Sequence, residues 1–351
     1  MPSHVIRQLA LAVAAVMVSS GAVWGQTGTA RSDALSLAGT DNVKAFIAAR
    51  VQKDWTPPKT PWGDPDISGV FTTKDEANTP FERPEEWAGR GIDDITPQEF
   101  AAALAQRHEA ALAQAPFFGG GEVEDGVAIA VPIHWFDNLA AKNSRPWFVI
   151  DPPEGQIPPL IAEAPQPTVP SRASRGLRGG EANTYLDRNL TDRCVSFTFR
   201  MPTIYGNSYQ IVQTPDYVVL RREQLHDARV VPLEGRPLAN VRSFEGQSRG
   251  RWEGNTFVVE TTNFDERVAY RRYSAKNLRV IERFTRIAPT KVDYSVTIDD
   301  PSVYARPWTY SYPMTEDNTQ LIHEYACHEG NYGMANILSA GRAAEKAGRE
   351  Y

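Results

Sequence analysis

The chain has 351 residues, of which 37 are Lys or Arg and 43 are Asp or Glu, so its formal net charge at pH 7 is −6. A mildly acidic protein is a poor partner for nucleic acid, because binding to phosphate groups requires a surplus of positive charge. With 26 Pro and 25 Gly, the composition favours many turns and short strands over long helices.

Residues 1–25 have the features of a secretory signal peptide. Arg7 is their only charged side chain, and an apolar run extends from Leu9 to Val18. This run is too short for a membrane span of about 20 residues, and no comparable run follows it. The sequence therefore predicts a Sec-type signal and export to the periplasm or out of the cell. The soluble mature protein would start near Gln26 and have no membrane span.

Residues 26–121 are predicted to form a helical and extended N-terminal arm. Residues 33–52 carry a helical apolar pattern, and the proline-rich stretch after them indicates an extended segment lying on a core. A second helix is predicted after Thr96, which can cap it. Pro97 suits the first helical position, and Glu99 completes a capping box.

Residues 122–342 consist of short β-branched and aromatic runs separated by turn residues, and the stretches WEGNT and APTK are predicted hairpin turns. This pattern predicts a mainly β domain, an antiparallel meander that closes into a lipocalin-like barrel or folds into a sandwich. Residues 158–188, rich in Pro, Gly and Arg, are predicted to connect an N-terminal layer to this domain or to form a lid. A short helix is expected over Asn331–Leu338, and residues 343–351 are expected to be a C-terminal tail.

Distinctive stretches between about Pro61 and Arg342 include PWGDPDISGVFT, HDARVVPLEGRP, RGRWEGNTFVVETTNF and EYACHEGNYG. Together they resemble a large group of exported proteins of proteobacteria and acidobacteria. The resemblance implies an exported domain with a long β meander. It assigns no catalytic role to any residue.

Cys194 and Cys327 are the two cysteines of the chain and lie far apart in the sequence. Export exposes them to an oxidising compartment, so a disulfide between them is predicted. The sulfur of a disulfide cannot act as a thiolate ligand or as a nucleophile.

The stretch HEYACHEGNYGM near the C-terminus groups His, Glu, Cys and Tyr side chains. His323 and His328 are about 140° apart on a helix and on opposite faces of a strand, so they are not expected to share a zinc ion. A strand is expected over residues 320–329, with a turn after it. His328, Glu329 and Tyr332 are then placed to face a ligand together at the mouth of a barrel. The alternative is a disulfide-held corner whose polar groups are hydrogen-bonded.

His226 follows a predicted strand and has Asp227 beside it. Imidazole titrates near neutral pH and a carboxylate can fix its tautomer, a combination that suits general acid/base catalysis. Adjacent residues on a strand point to opposite faces, however, so Asp227 need not be the partner of His226.

Glu282 shares one strand face with three apolar residues, Leu278, Val280 and Phe284. We expect this row to face the interior, where a carboxylate must be paired with a cation such as Arg229 or have a raised pKa. The opposite row, which contains Arg279, Ile281 and Arg283, is mostly basic and is expected to face solvent.

Aromatic side chains lie in or beside many of the predicted strands, enough to line an apolar ligand pocket. The residues predicted to contact a substrate are Tyr209, Trp252, Tyr294, Trp308, Tyr310 and Glu329. Ordinary core packing is the alternative for most of the aromatic residues.

The sequence contains no G-x-S-x-G elbow, Walker loop, dinucleotide fingerprint or cysteine pair with zinc spacing, so neither a cofactor nor a metal is expected. The leading hypothesis is a cofactor-independent lyase, isomerase or hydrolase that transforms a small, partly apolar molecule by proton transfer. The predicted acid/base residues are His226, Glu282 and His328, and the predicted polar stabilisers are Arg229 and Tyr332. The alternatives are a periplasmic protein that binds the molecule without turnover and a structural protein without a cavity. The oligomeric state is left open.

Overall fold

The computed structural model describes residues 41–118, 144–165, 182–188, 190, 192–195, 208–234, 241–319 and 322–348, without the side chains of residues 111–118 and 226. The predicted signal peptide and the central part of the predicted connection at 158–188 lie outside the described residues. Within the described ranges, no helix combines the length and the apolar composition that crossing a membrane requires.

A large antiparallel sheet dominates the described part of the chain and confirms the predicted mainly β fold. The strands are β1 Gly69–Thr72, β2 Val149–Asp151, β3 Ser208–Gln213, β4 Tyr217–Arg222, β5 Ala228–Pro232, β6 Gln247–Glu253, β7 Thr256–Thr262, β8 Ala269–Tyr270, β9 Tyr273–Ser274, β10 Arg279–Ala288, β11 Lys291–Asp299 and β12 Trp308–Glu316. The order in the sheet is β5-β4-β3-β1-β12-β11-β10-β7-β6, with β2 also paired to β12. β8 and β9 form a separate hairpin.

The segment predicted to be an N-terminal arm contributes a strand to this sheet. β1 lies between β3 and β12 and pairs with both. Ile67, two residues before β1, is fully buried, and its N–H donates to Gln213 Oε1 at 2.7 Å. This part of the predicted arm is therefore built into the β domain.

The hairpin between β6 and β7 forms where the sequence predicts it. Glu253 pairs with Thr256, which leaves Gly254 and Asn255 as a two-residue turn. Gly254 has a φ of +61°, a conformation that glycine adopts without the steric cost that a Cβ atom would bring.

A row of aromatic side chains crosses the sheet face that carries the main core, which we call the inner face. Successive neighbours in the strand register are Tyr312, Tyr294, Phe284, Phe257 and Trp252. The ring centroids of successive pairs are 5.3, 4.8, 6.2 and 5.2 Å apart. Rings at these distances stabilise one another beyond the burial of their area. The row covers the inner face of five neighbouring strands, β12, β11, β10, β7 and β6.

The opposite face of β10, which we call its outer face, is covered by helical residues 41–48. Ile47 and Ile287 belong to a small second cluster there and are 4% and 7% exposed. Arg283 lies on the same face and is 2% exposed. The expectation that the row of Arg279 and Arg283 faces solvent is therefore wrong for Arg283. The strand pattern identifies the residues of this face but not the helix that covers it.

The helix Pro97–Phe118 begins at the predicted capping box. The Thr96 N–H donates to Glu99 Oε2 at 2.9 Å, and the Glu99 N–H donates to Thr96 Oγ1 at 3.3 Å. These two hydrogen bonds satisfy donors that an uncapped helix would leave open, which explains why the helix starts here.

The C-terminal helix Tyr332–Lys346 is longer than predicted. The Asn331 side chain caps it by accepting a hydrogen bond of 3.2 Å from the Met334 N–H. The helix continues beyond Leu338, the predicted end, so residues 343–346 are helical rather than part of a tail.

The predicted disulfide between Cys194 and Cys327 is present, with the two Cα atoms 5.7 Å apart. Residues 322–330, in contrast, are turns and irregular structure, so the predicted strand over 320–329 is wrong for them. One edge of β12 pairs with β11 and the other with β1 and β2. Because both edges of β12 are occupied, the chain that follows β12 finds no free edge there.

Candidate functional site

Glu282 lies on the inner face of β10 and is fully buried. Arg229 of β5 donates two hydrogen bonds to its carboxylate, at 2.6 and 2.7 Å, and the Tyr294 hydroxyl donates another at 2.6 Å. Two expectations for Glu282 are therefore confirmed: its side chain faces inward, and a cation lies beside it.

These contacts decide the charge of Glu282. Burial alone would raise its pKa, but the charge and hydrogen bonds of Arg229 and the Tyr294 hydroxyl hold the pKa below the ordinary value of 4.5. Burial, together with the Glu282 carboxylate, raises the pKa of Tyr294 well above 10. Near pH 7 the carboxylate is ionised and the tyrosine is protonated. Such a carboxylate is a weak proton acceptor, because protonation would weaken its contacts with Arg229.

A small cavity beside this ion pair has a volume of about 20 Å³. The titratable side chains in its wall are Tyr209, Arg222, Arg229, Glu282 and Tyr294. A cavity of this size holds roughly one water molecule. It has no room for a substrate of several heavy atoms unless the surrounding side chains move.

Arg222 of β4 lines the same cavity and binds two carboxylates. Its Nη2 atom is 3.0 Å from Asp227 Oδ2 and 3.0 Å from Glu245 Oε2. The Asp227 carboxylate is thus engaged by Arg222. His226 ends a short 3-10 turn, Gln224–His226, and its side chain is outside the described part. A catalytic role for His226 therefore stays a prediction.

The aromatic residues predicted to contact a substrate lie in or against the core. Tyr294, Trp308 and Tyr310 are at most 6% exposed, and Tyr209 and Trp252 are partly buried against the same cluster. The indole N–H groups of Trp252 and Trp308 are buried and donate no hydrogen bond to the residues that the structure describes. These positions match the alternative of core packing, and the substrate-binding role stays a prediction.

The residues of the C-terminal cluster lie at the surface. His323, His328 and Glu329 are exposed, and Tyr332 is 76% exposed. Among the described contacts, no hydrogen bond or ion pair links them to the buried Glu282. The arrangement resembles the alternative of a disulfide-held corner, and the predicted catalytic and binding roles of these residues, like the predicted lack of zinc, stay predictions.

A larger groove lies on the outer side of the sheet, between helical residues 41–48 and the β6–β7 hairpin. Its volume is about 490 Å³. Ile47, Ala48 and Val51 form an apolar wall on one side, and the sheet side includes Asn255, Thr256 and Arg283. We call it the hairpin groove.

An ion pair joins the two sides of the hairpin groove. Lys44 Nζ is 3.0 Å from Glu253 Oε2, and Arg251 also binds Glu253, at 2.6 Å. Burial would raise the pKa of Glu253, but Lys44 and Arg251 hold it below its ordinary value. Glu253 is therefore ionised and already engaged by two cations.

The Arg283 guanidinium, in contrast, has buried N–H groups to which no described residue offers an acceptor. Its Nε and Nη1 atoms are buried and make no hydrogen bond within the described part of the chain. Burial and the nearby Arg251 and Arg279 lower its pKa, while Glu253 opposes this effect. A guanidinium nevertheless stays charged near pH 7. A role for Arg283 in a binding site is not among the predictions from the sequence, which place it toward solvent; the available signal was a basic side chain within a long strand of mostly buried residues.

The molecule thus offers two chemically different sites. The inner one is an ionised cluster whose members are bonded to one another around a water-sized cavity. The outer one is an open groove with an apolar wall and a buried guanidinium, two of whose nitrogen atoms make no hydrogen bond to the described residues. The chain matches no protein-family model, no curated protein and no solved structure, so a function has to follow from the chemistry of these two sites.

Proposed function

We propose that this protein is exported and binds a small, partly apolar molecule in the hairpin groove without transforming it. The observation that carries the proposal is the groove itself. Its volume of about 490 Å³ lies within the range of about 300–1,000 Å³ that small-molecule sites occupy. Its apolar wall opposite a few polar groups is the usual lining of such sites.

The inner face is a poorer place for a ligand. The cavity beside Glu282 measures about 20 Å³, far below the volume of the groove. The rings of the aromatic row and the side chains of Arg229 and Glu282 occupy the rest of the inner face at the central strands. A ligand there would have to displace side chains that stabilise the core, whereas the groove is already open.

The proposal includes closure of the sheet into a barrel rather than a sandwich. Leu233, which follows β5, forms a parallel bridge with Gly250 of β6, the strand at the other end of the sheet order. A Cβ atom at Gly250 would meet Val231 at 3.0 Å and Phe257 at 2.6 Å, so glycine is required for this close approach. The bonds from Arg229 on β5 to Glu282 on β10 also support closure, because they connect strands far apart in the sheet order.

Export to the periplasm or out of the cell is part of the proposal. It is supported by the signal-like residues 1–25 and by the disulfide, since such bonds persist in oxidising compartments.

The second candidate is the cofactor-independent enzyme that acts by proton transfer. One observation favours it: five titratable side chains line the cavity beside Glu282, and such clusters are common at catalytic sites. This candidate ranks second for two reasons. The lowered pKa makes Glu282 a weak proton acceptor, and the cavity is too small for a substrate of several heavy atoms. In this version Glu282 and Arg229 act together with His226, His328 and Tyr332.

A groove-blocking variant tests the proposal. Ala48→Trp places a large side chain at an exposed position in the groove wall, and Ala45→Trp makes the same change at an exposed position that does not line the groove. The mature protein and both variants are equilibrated by dialysis with a bacterial small-molecule extract, and the retained and consumed compounds are measured by mass spectrometry.

We expect one or a few compounds to be retained by the wild type and by Ala45→Trp but not by Ala48→Trp. Equal retention by both variants would remove the groove as the binding site. A compound consumed by the wild type and spared by Glu282→Gln would replace the binding function with the enzymatic one.

A further inference from the structure

We propose that the hairpin groove is selective for a carboxylate with an apolar body, and that the Arg283 guanidinium anchors the carboxylate. This inference rests on the function proposed above, because it names the ligand class of the same groove. Among the residues that the structure describes, none accepts a hydrogen bond from Nε or Nη1 of Arg283, and an anion bound in the groove would supply that acceptor.

The guanidinium of Arg283 is buried and only partly hydrogen-bonded. Arg283 is 2% exposed and lines the groove, and its buried Nε and Nη1 atoms have no hydrogen-bond partner in the ranges that the structure describes. A buried cation without an acceptor is costly, and folded proteins rarely leave one unsatisfied. An anion that enters the groove would satisfy it.

The cations around the groove outnumber the carboxylates that are bound to them. The cations that line the groove or act on Arg283, with Arg283 itself, are Lys44, Arg251, Arg279 and Arg283. The carboxylates bound to them are Glu253, Glu260 and Asp299. Each of these carboxylates pairs with Lys44, Arg251 or Arg279, at distances from 2.6 to 3.9 Å. Arg283 is therefore the surplus cation of this cluster, although the whole chain is acidic.

A second polar group lies beside Arg283. Ser295 of β11 is directly opposite Arg283 in the strand register and is fully buried, and its hydroxyl makes no hydrogen bond to any described residue. Residues paired in this way have Cβ atoms about 5 Å apart. A hydroxyl can donate to an anion, so two neighbouring side chains on the same face of the sheet have donor groups for which the described part of the chain provides no acceptor.

The shape and lining of the groove select among anions. A guanidinium presents planar, forked N–H groups that match the two oxygens of a carboxylate. Ile47, Ala48 and Val51 line the groove beside it and provide contact for an apolar body. Lys44, half exposed and held by Glu253, adds a positive charge nearer to solvent. A small aliphatic or aromatic carboxylate meets these requirements, whereas a fully hydrated inorganic anion would leave the apolar wall unused.

The experiment compares a carboxylate with its neutral isostere. Phenylacetate, hexanoate, phenylacetamide and inorganic phosphate are titrated calorimetrically into the mature protein, into Arg283→Met, and into Arg279→Met. Arg279 is the matched control because it lies on the same strand and the same face but is bound to Glu260, at 2.7 Å. Circular dichroism and thermal unfolding confirm that each variant is folded.

We expect phenylacetate or hexanoate to bind the wild type at least 10-fold more tightly than phenylacetamide and phosphate. Arg283→Met should weaken this binding at least 30-fold, and Arg279→Met, which removes a nearby positive charge but leaves the Arg283 guanidinium in place, should weaken it less than 10-fold. Equal binding of phenylacetate and phenylacetamide, or failure of both carboxylates to bind, would overturn the carboxylate inference. Tighter binding of phosphate would leave only a general anion site. The groove function itself fails separately, if Ala48→Trp does not affect retention of compounds from the extract.

Discussion

Glu282 and Arg283 are neighbours in the sequence, lie on opposite faces of β10, and are equally buried, yet their surroundings differ completely. On the inner face, Glu282 accepts hydrogen bonds from Arg229 and Tyr294. On the outer face, Arg283 has buried N–H groups that find no acceptor among the described residues. Burial alone therefore does not identify a functional charge. A charge that is satisfied within the chain stabilises the fold, and one that is not satisfied is available to a ligand.

The inner ion pair and the outer guanidinium also affect the free energy of unfolding in different ways. The inner pair contributes to stability only as a pair, because removing one partner leaves the other buried and uncompensated. The outer guanidinium costs stability in the free protein and regains it when an anion binds. Removal of the Glu282 charge and removal of the Arg283 charge should therefore change stability in opposite directions.

The largest effect is expected for Glu282→Gln, which keeps the shape of the side chain and removes its charge. The free energy of unfolding should fall by about 3 kcal/mol, because Arg229 loses its carboxylate. Breaking a buried ion pair usually lowers the free energy of unfolding by about 3 to 5 kcal/mol. We expect a loss at the lower end of this range because the Arg229 side chain is 11% exposed. Urea denaturation at pH 7 measures the change.

The control is Glu260→Gln, which removes a carboxylate that is 34% exposed and paired with Arg279. Its loss should be below about 1 kcal/mol. Equal losses for the two variants would contradict the contrast between the inner and outer faces. Unchanged stability with a fall in turnover of roughly 100-fold would assign Glu282 to catalysis instead.

The second prediction is the pH dependence of this effect. The pKa of Glu282 is lower in the folded protein than its ordinary value of 4.5. Its contribution is therefore fully present above the unfolded pKa and is lost as the pH falls through the folded pKa. The difference in stability between the wild type and Glu282→Gln should be constant above about pH 5.5 and shrink below about pH 4.5. A difference that grows on acidification would contradict the ion pair.

The third prediction is that removing the charge of Arg283 from the outer face raises the free energy of unfolding. Arg283→Met removes the unpaired charge and keeps most of the apolar stem, so the free energy of unfolding without ligand should rise by about 1 kcal/mol. Thermal and urea unfolding in anion-poor buffer measure it. Arg279→Met should instead lower stability, because it breaks the contacts of Arg279 with Glu260 and Asp299. A loss of stability in Arg283→Met would show that its guanidinium is satisfied after all.

The smallest effect is expected for a pair that is exposed. Arg342 and Glu345 are 2.9 Å apart on the C-terminal helix, with side chains 46% and 54% exposed. Glu345→Gln should lower the free energy of unfolding by about 0.3 kcal/mol, and 0.5 M salt should remove the difference. A loss comparable to that of Glu282→Gln would mean that burial does not govern these charge pairs.

Several features were predictable because they depend on local or covalent chemistry. The capping box of Thr96 and Glu99 and the turn at Gly254 follow from residue types at fixed spacing. The disulfide of Cys194 and Cys327 follows from the cysteine count and the predicted compartment. The inward position of Glu282 follows from the two-residue period of a strand, which shows which side chains share a face.

The sequence does not show which segment covers the outer face of β10 or whether the edges of β12 are free. Both features depend on the tertiary structure. Arg283 was expected to face solvent because its row is mostly basic, but helical residues 41–48 lie over it. The sequence predicts a strand over residues 320–329, yet the edges of β12 are occupied, and residues 322–329 form turns and irregular structure.

By itself, the sequence determined the mainly β character, the turns, the helix cap, the cysteine pair and the inward face of β10. The tertiary structure alone decided that β1 enters the middle of the sheet, that Arg229 reaches Glu282, and that a groove forms above Arg283. The physical reason is that side-chain period and turn chemistry act over a few residues. Burial of a face and pairing of a charge depend on segments that the chain brings together from far apart.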